Sequence, residues 1–126
     1  MSGAVCELAS VRAYVCAPDG PELAGERDAA DLIGAAYSAD SRLVAIPVER
    51  LGAAFLDLRT RVAGEMLQKF VNYGFKVAIL GDISREVAAS TALRDFVRES
   101  NRGSTVWFLP DLESLRTKLR GQPSSR

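Results

Sequence analysis

Two kinds of apolar pattern alternate along this chain, and they predict strands and helices. Residues 11–17 (VRAYVCA) alternate apolar and polar side chains, which is typical of a half-exposed strand. Residues 4–9 show a weaker form of the same pattern, and we interpret them as its antiparallel partner. Three later runs are apolar throughout, as expected of parallel strands covered on both faces: residues 43–46, 77–80 and 106–109.

Helical spacing separates these runs. In residues 28–39 the apolar side chains recur at helical intervals, which predicts a buried stripe of Ala29, Leu32, Ile33, Ala36 and Tyr37. A second helix begins at Thr60, which is suited to be its N-cap, and Gly74 is suited to the left-handed position that ends it.

Two further helices follow in the second half of the chain. Residues 90–101 predict one with an apolar stripe of Ala92, Leu93, Phe96 and Val97, and Asp111 predicts the N-cap of the last one. Residues 51–58 fit either a helical turn or an extended loop.

This order of elements predicts a single α/β domain. We expect a mixed, mostly parallel sheet of about five strands, joined by about four helices through right-handed crossovers. Residues 1–121 are predicted to form the domain, and residues 122–126 a polar C-terminal tail.

Composition excludes several kinds of chemistry. The chain contains no histidine, which removes the commonest general base near neutral pH and the commonest metal ligand. Cys6 and Cys16 cannot complete a zinc site alone, and we interpret them as reduced core thiols rather than a disulfide. No glycine-rich nucleotide-binding pattern is present. We therefore expect no metal and no cofactor, and an enzyme is the less favoured interpretation.

Charge and hydropathy limit the partners. Sixteen basic and sixteen acidic residues cancel, so no long-range field gathers nucleic acid or anionic lipid. A basic row at Arg94, Arg98 and Arg102 lies beside Asp95 and Glu99, which favours local ion pairs. No run is long enough to span a membrane, and the start lacks a signal-peptide pattern. We expect a cytoplasmic protein that binds neither nucleic acid nor membrane.

The predicted fold places polar residues on two separate surfaces. The carboxyl ends of the parallel strands, where open α/β sheets bind ligands, bring together Thr60, Asp82, Ser84 and Ser90. A second polar surface at the opposite end contains Lys69, Asn72, Asn101 and Arg102. Thr60 and Asn72 lie about 18 Å apart along one helix, so no compact site contains both.

Each surface also has a purely structural interpretation. An Asp82 side chain that caps the following backbone explains that residue more simply than a ligand does. Asn72 and Asn101 each stand two residues before a glycine, Gly74 and Gly103, which favours helix termination over a binding site.

Three strings of the chain resemble a known family. AGE-x-LQKF-x-NY from Ala63, the Gly81-Asp82 pair after a strand, and ES-NRG from Glu99 resemble the bacterial family catalogued as domain of unknown function 4180. Leu56 and Arg61 depart from its pattern, which has a second aromatic residue and often a glycine there. That family has no established activity, so the resemblance implies relatives without implying a reaction.

More distantly, the order of elements resembles the STAS fold of anti-sigma-factor antagonists. Those regulators carry a phosphorylatable serine at the start of the helix after the third strand. Residues 57–60 occupy the comparable place, and within them only Thr60 offers a hydroxyl for phosphate. This resemblance implies a regulatory domain that is switched by phosphate.

We therefore predict a non-catalytic regulatory or protein-interaction module, with a protein partner or a second copy of the chain bound to it. The alternative is a small-molecule or anion-binding protein, or an enzyme, with its site at the carboxyl ends of the strands. Asp82, Ser84, Thr60 and Lys69 are the side chains that this alternative would use.

Overall fold

A computed structural model describes residues 3–121 as one five-stranded sheet with helices on both faces. The strands lie in chain order, with the first pair antiparallel and the other neighbours parallel. They are β1 (Gly3–Leu8), β2 (Val11–Cys16), β3 (Leu43–Pro47), β4 (Lys76–Leu80) and β5 (Val106–Leu109). The helices are α1 (Glu26–Ser38), α2 (Ala53–Leu56), α3 (Val62–Asn72), α4 (Ser84–Ala89), α5 (Thr91–Arg102) and α6 (Leu112–Arg120). The predicted fold class is confirmed, and the 122–126 tail lies outside the described residues.

The sheet is buried on both faces, as its continuously apolar strands require. On one face α1, α3 and α5 pack over alternate strand residues, including Val44, Ile46 and Val77. On the other face α6 packs over the intervening residues, including Ala45 and Trp107. Cys6 and Cys16 are both free thiols, as predicted.

Residues 51–60 form two short turns of helix. α2 is followed by a 3-10 turn at Leu58–Thr60, and the main helix then begins at Val62. The predicted N-cap at Thr60 is therefore wrong by one residue, because Arg61 occupies that position. The reason is local: Asp57 accepts the Arg59 N–H and starts a separate turn that ends at Thr60.

Arg61 adopts a left-handed backbone, with φ of 68° and ψ of 4°. This conformation costs an L-residue with a Cβ about 1–2 kcal/mol, whereas glycine adopts it freely. We expect Arg61→Gly to raise the free energy of unfolding by about 0.5–1 kcal/mol, after subtracting the entropy that glycine adds to the unfolded chain. Urea denaturation measures the change. Arg98→Gly, inside α5, is the control and should lower stability by about 1 kcal/mol; a loss in both variants would contradict the strain at Arg61.

Gly74 is left-handed as predicted, with φ of 79°. Gly103 ends α5, as its Asn-x-Gly pattern predicted, but its backbone is extended, with φ of −85° and ψ of −169°. Two other local predictions need correction. Ala92 is exposed rather than buried, because α5 begins at the rim of the sheet. Tyr37 is 63% exposed, although its spacing placed it in the buried stripe of α1.

Candidate functional site

Thr60 lies at the carboxyl ends of the parallel strands, where its hydroxyl is already bonded. Its Oγ1 is 2.6 Å from the Ala54 carbonyl oxygen and 2.8 Å from the Asp57 carbonyl oxygen, so its single proton donates to one of them. The same oxygen accepts the Val62 N–H at 3.2 Å, which confirms the predicted bond to the first turn of α3. Thr60 therefore connects α2, the 3-10 turn and α3.

We expect Thr60→Val to lower the free energy of unfolding by about 0.5–1.5 kcal/mol, since it removes the exposed bonds of this hydroxyl to Ala54, Asp57 and Val62. Thr60→Ser retains the hydroxyl and is the matched control. It should change stability by less than about 0.5 kcal/mol. A loss in Thr60→Ser as large as the loss in Thr60→Val, measured by urea denaturation, would contradict a specific role of the hydroxyl.

The other carboxyl-end candidates also cap backbone. Asp82 Oδ1 accepts the Ser84 N–H at 2.9 Å, and bonds from the Ser84 side chain and backbone lower the pKa of the Asp82 carboxyl. Ser90 Oγ accepts the Leu93 N–H at 3.1 Å and is the N-cap of α5. The capping interpretation of Asp82 is thus confirmed.

A shallow groove of about 480 Å³ lies beside these residues. Of the four predicted carboxyl-end residues, Ser90 lines it and Thr60, Asp82 and Ser84 do not. Its walls are largely apolar, and its rim carries the Asp57–Arg59 ion pair at 2.9 Å. The structure therefore does not assemble the four predicted residues into one site.

The predicted second polar surface separates into two parts. Asn101 is a structural residue: its Nδ2 donates to the Phe108 carbonyl at 3.1 Å and its Oδ1 accepts the Phe108 N–H at 2.7 Å. β5 is an edge strand, so Asn101 takes the place of a neighbouring strand at that residue. Arg102 pairs with Glu99 at 3.5 Å, one of the local ion pairs predicted from the sequence.

Lys69 and Asn72 belong instead to a surface between α1 and α3. They line a groove of about 610 Å³ that ends at Tyr73. Asn72 accepts a bond from Gln68 at 2.8 Å, and the Lys69 ammonium lies 5.7 Å from the centroid of the Tyr73 ring. A second groove, of about 340 Å³, shares Tyr73 and continues past Gly34 to Tyr37 and Arg42.

Aromatic and cationic side chains stack at the centre of this region. The Arg42 guanidinium lies 4.5 Å from the centroid of the Tyr37 ring and 5.6 Å from that of the buried Phe75 ring. Tyr37 and Tyr73 are 63% and 60% exposed. We call the lining of these two grooves the α1/α3 surface; it comprises Glu26, Ile33, Gly34, Tyr37, Arg42, Gly64, Glu65, Gln68, Lys69, Asn72, Tyr73 and Phe75.

Gly34 lies in the interior of α1 and Gly64 in the first turn of α3, and both are exposed on this surface. A Cβ at either position would meet no atom within 4 Å, so nothing inside residues 3–121 requires a glycine there. Each glycine costs a helix about 1 kcal/mol relative to alanine. At both positions the helix backbone is open to solvent.

Sequence reasoning missed Arg50, which ends the 3-10 turn Val48–Arg50 after β3 and is only 2% exposed. Its Nε donates to the Pro21 carbonyl at 2.6 Å and its Nη1 to the Ala17 carbonyl at 2.8 Å. Burial raises the pKa of the nearby Cys16 thiol to about 11, although Arg50 opposes the shift. Cys16 is therefore a neutral thiol at pH 7 and no nucleophile.

Within residues 3–121 no cluster of metal-ligating side chains is present. None of the helices in that range is long and apolar enough to cross a bilayer.

The family model described as "Domain of unknown function (DUF4180)" matches residues 8–119. The chain belongs to the DUF4180 family. This confirms the family resemblance seen in the sequence, and the match includes every residue of the α1/α3 surface as well as Arg50. No curated protein and no solved structure matches this DUF4180 chain, so the likeness to the STAS fold stays a prediction.

Proposed function

We propose that this DUF4180 domain is a non-catalytic interaction module that docks a partner protein on its α1/α3 surface. The exposure of Tyr37 and Tyr73 side by side carries the proposal. Among residues 3–121 only three large apolar side chains are exposed, and two of them lie on this surface. Tyrosine and arginine are the residues most enriched at the energetic centres of interfaces.

The charges of the surface favour a protein partner of mixed polarity. Its grooves contain two cations, Lys69 and Arg42, and two carboxylates, Glu26 and Glu65. A nucleic acid or an anionic membrane would require a cationic surface instead. The exposed backbone at Gly34 and Gly64 adds space for a helix or loop of the partner.

The state of the carboxyl-end residues supports a non-catalytic role. Thr60, Asp82 and Ser90 each engage a backbone group next to their own helix. An enzyme would require them to turn toward a shared substrate, which would uncap three helical segments. A reducing, cytoplasmic location is part of the proposal and suits the two free thiols.

A phosphate switch at Thr60 also stays within the proposal. Thr60 is exposed, and its hydroxyl bonds to Ala54 and Asp57. Phosphorylation would replace that hydroxyl proton and add negative charge, so it would release the turn before α3. The switch would then act on the same helix that carries Lys69 and Tyr73.

Site-specific photocrosslinking in the native cell tests the docking surface. A benzophenone amino acid replaces Tyr37 in one variant, Tyr73 in a second and Leu112 in a third. Leu112 is the matched control, because it is the remaining exposed apolar side chain but lies on α6, across the sheet. We expect one discrete adduct from positions 37 and 73 and none from position 112.

The mass of the adduct identifies the class of partner. A band at twice 13.6 kDa would mean a second copy of the chain, and any other mass a different protein. Absence of an adduct at both tyrosines, or equal adducts at all three positions, would contradict the proposal.

A further inference from the structure

Arg50 lies in the turn after the carboxyl end of β3, far from Tyr37 and Tyr73 in the fold. Its guanidinium is buried beneath Gly20, where any side chain would collide with it. It forms no ion pair with a carboxylate of residues 3–121. A buried charge without an opposite charge is costly, so proteins rarely retain one without a role.

Part of the guanidinium still has hydrogen-bonding capacity. Arginine has five N–H donors, and two backbone carbonyls take one bond each, from Nε and Nη1. Nη2 donates to no group in the described range. Nη2 is not among the side-chain nitrogens of that range that are both sealed from solvent and without a partner, so it keeps some contact with solvent although Arg50 as a whole is only 2% exposed. The opening that reaches Arg50 is a cleft of about 330 Å³ between α1 and the loop after β2.

The lining of this cleft selects the chemistry of a ligand. Arg50 is its one cation, and three carboxylates accompany it: Glu22, Asp28 and Asp31. One carboxylate oxygen of Asp28, Oδ2, already accepts a hydrogen bond from the Ala24 N–H at 2.7 Å. Asp31 is exposed and makes no bond to another described side chain. A simple anion would be attracted by Arg50 but repelled by the carboxylates. A simple cation would be attracted by the carboxylates but repelled by Arg50.

From these contacts we infer that the cleft binds a small zwitterion. Its carboxylate contacts the free donors of Arg50, and its ammonium group contacts Asp31 at the mouth of the cleft. The walls of Pro21, Leu23 and Leu32 suit a short apolar body between the two charges. The volume is that of a small-molecule site of about 300 Å³ or more. Amino acids, with either α or more distant amino groups, are the matching compounds.

Nuclear magnetic resonance titration of the full chain tests this inference. The probes are glycine, β-alanine, 4-aminobutyrate, 5-aminopentanoate and the common α-amino acids. Acetate and methylammonium carry the same charges separately and are the controls. We expect at least one zwitterion to bind with a Kd below about 1 mM, equivalent to about 4 kcal/mol. Its shifts should concentrate at Leu23, Asp31 and Arg50, and the two single-charge controls should bind at least about tenfold more weakly.

Variants make the outcome specific. Arg50 supports the fold, so Asp31→Asn is the informative substitution, because Asp31 is exposed and contributes no internal bond. It should weaken binding about tenfold, equivalent to about 1.4 kcal/mol, with an unchanged melting temperature. Asp40→Asn, just beyond the C-terminal end of α1, should bind like the wild type. No zwitterion bound below about 10 mM, or acetate bound equally well, would overturn the inference. Neither outcome bears on the tyrosine surface, whose test uses no ligand.

Discussion

Arg50→Met should lower the free energy of unfolding by about 2–4 kcal/mol, since two partly buried carbonyls, those of Ala17 and Pro21, lose their donors at about 1–3 kcal/mol each. Removal of the buried charge recovers part of that loss, which is why the expected effect is less than their sum. Arg50→Lys should also destabilise, because a single ammonium group cannot reproduce two bonds in the geometry of a guanidinium.

The same substitution should have a local signature. The Leu23 N–H donates to the Arg50 carbonyl at 2.7 Å. This bond and those of the Arg50 side chain hold the loop after β2 against the turn after β3. Hydrogen exchange at Leu23 should accelerate more than exchange in β4. Arg27→Met, at an exposed position of α1, is the matched control and should change stability by less than about 0.5 kcal/mol. Denaturation curves for Arg50→Met and Arg27→Met that coincide would contradict the role of Arg50.

Asn101→Asp should lower the free energy of unfolding by about 2–3 kcal/mol, because it breaks one bond to β5 and places a carboxylate against the Phe108 carbonyl. The bond from the Phe108 N–H to Oδ1 survives, and the bond from Nδ2 is lost. Asn101→Ala loses both and exposes an edge strand whose N–H and C=O groups can pair with another chain. We therefore expect Asn101→Ala to aggregate on heating at concentrations where the wild type does not.

Asn72→Ala is the control for Asn101. Both asparagines precede a glycine by two residues, but Asn72 is exposed, and within residues 3–121 its side chain hydrogen-bonds to Gln68 alone. Its removal should cost less than about 0.5 kcal/mol. If Asn72→Ala and Asn101→Ala destabilise equally under urea denaturation, both residues serve helix termination and the edge-strand role of Asn101 is wrong.

The strands and main helices could be predicted because their signals are local. Continuous apolar runs such as residues 77–80 require cover on both faces, and the spacing of Met66 and Phe70 fits one buried helical face. Arg50 and Asn101 had no such signal. The Arg50 carbonyl partners lie 29 and 33 residues away in the chain, and composition alone places an arginine at the surface.

The candidate site was predictable in part. Lys69 and Asn72 were predicted to share a surface, and the structure does place them in one groove, but Asn101 and Arg102, which were predicted to lie with them, do not line it. Tyr37 was not assigned to that surface, because helical spacing placed it with Ile33 in the buried stripe of α1. The structure leaves it exposed. Tyr37 follows the spacing of the core residues but remains exposed, which departs from the usual apolar pattern of a helix. Such departures concentrate at functional positions.

The central claim is that the exposed tyrosines form a docking surface. The most direct measurement is the Kd of the crosslinked partner, once purified, for the wild type, for Tyr37→Ala with Tyr73→Ala, and for Leu112→Ala. We predict that the double variant weakens binding by about 100-fold or more, equivalent to about 2.7 kcal/mol, while Leu112→Ala binds within about twofold of the wild type. A double variant that binds as tightly as the wild type would contradict the account.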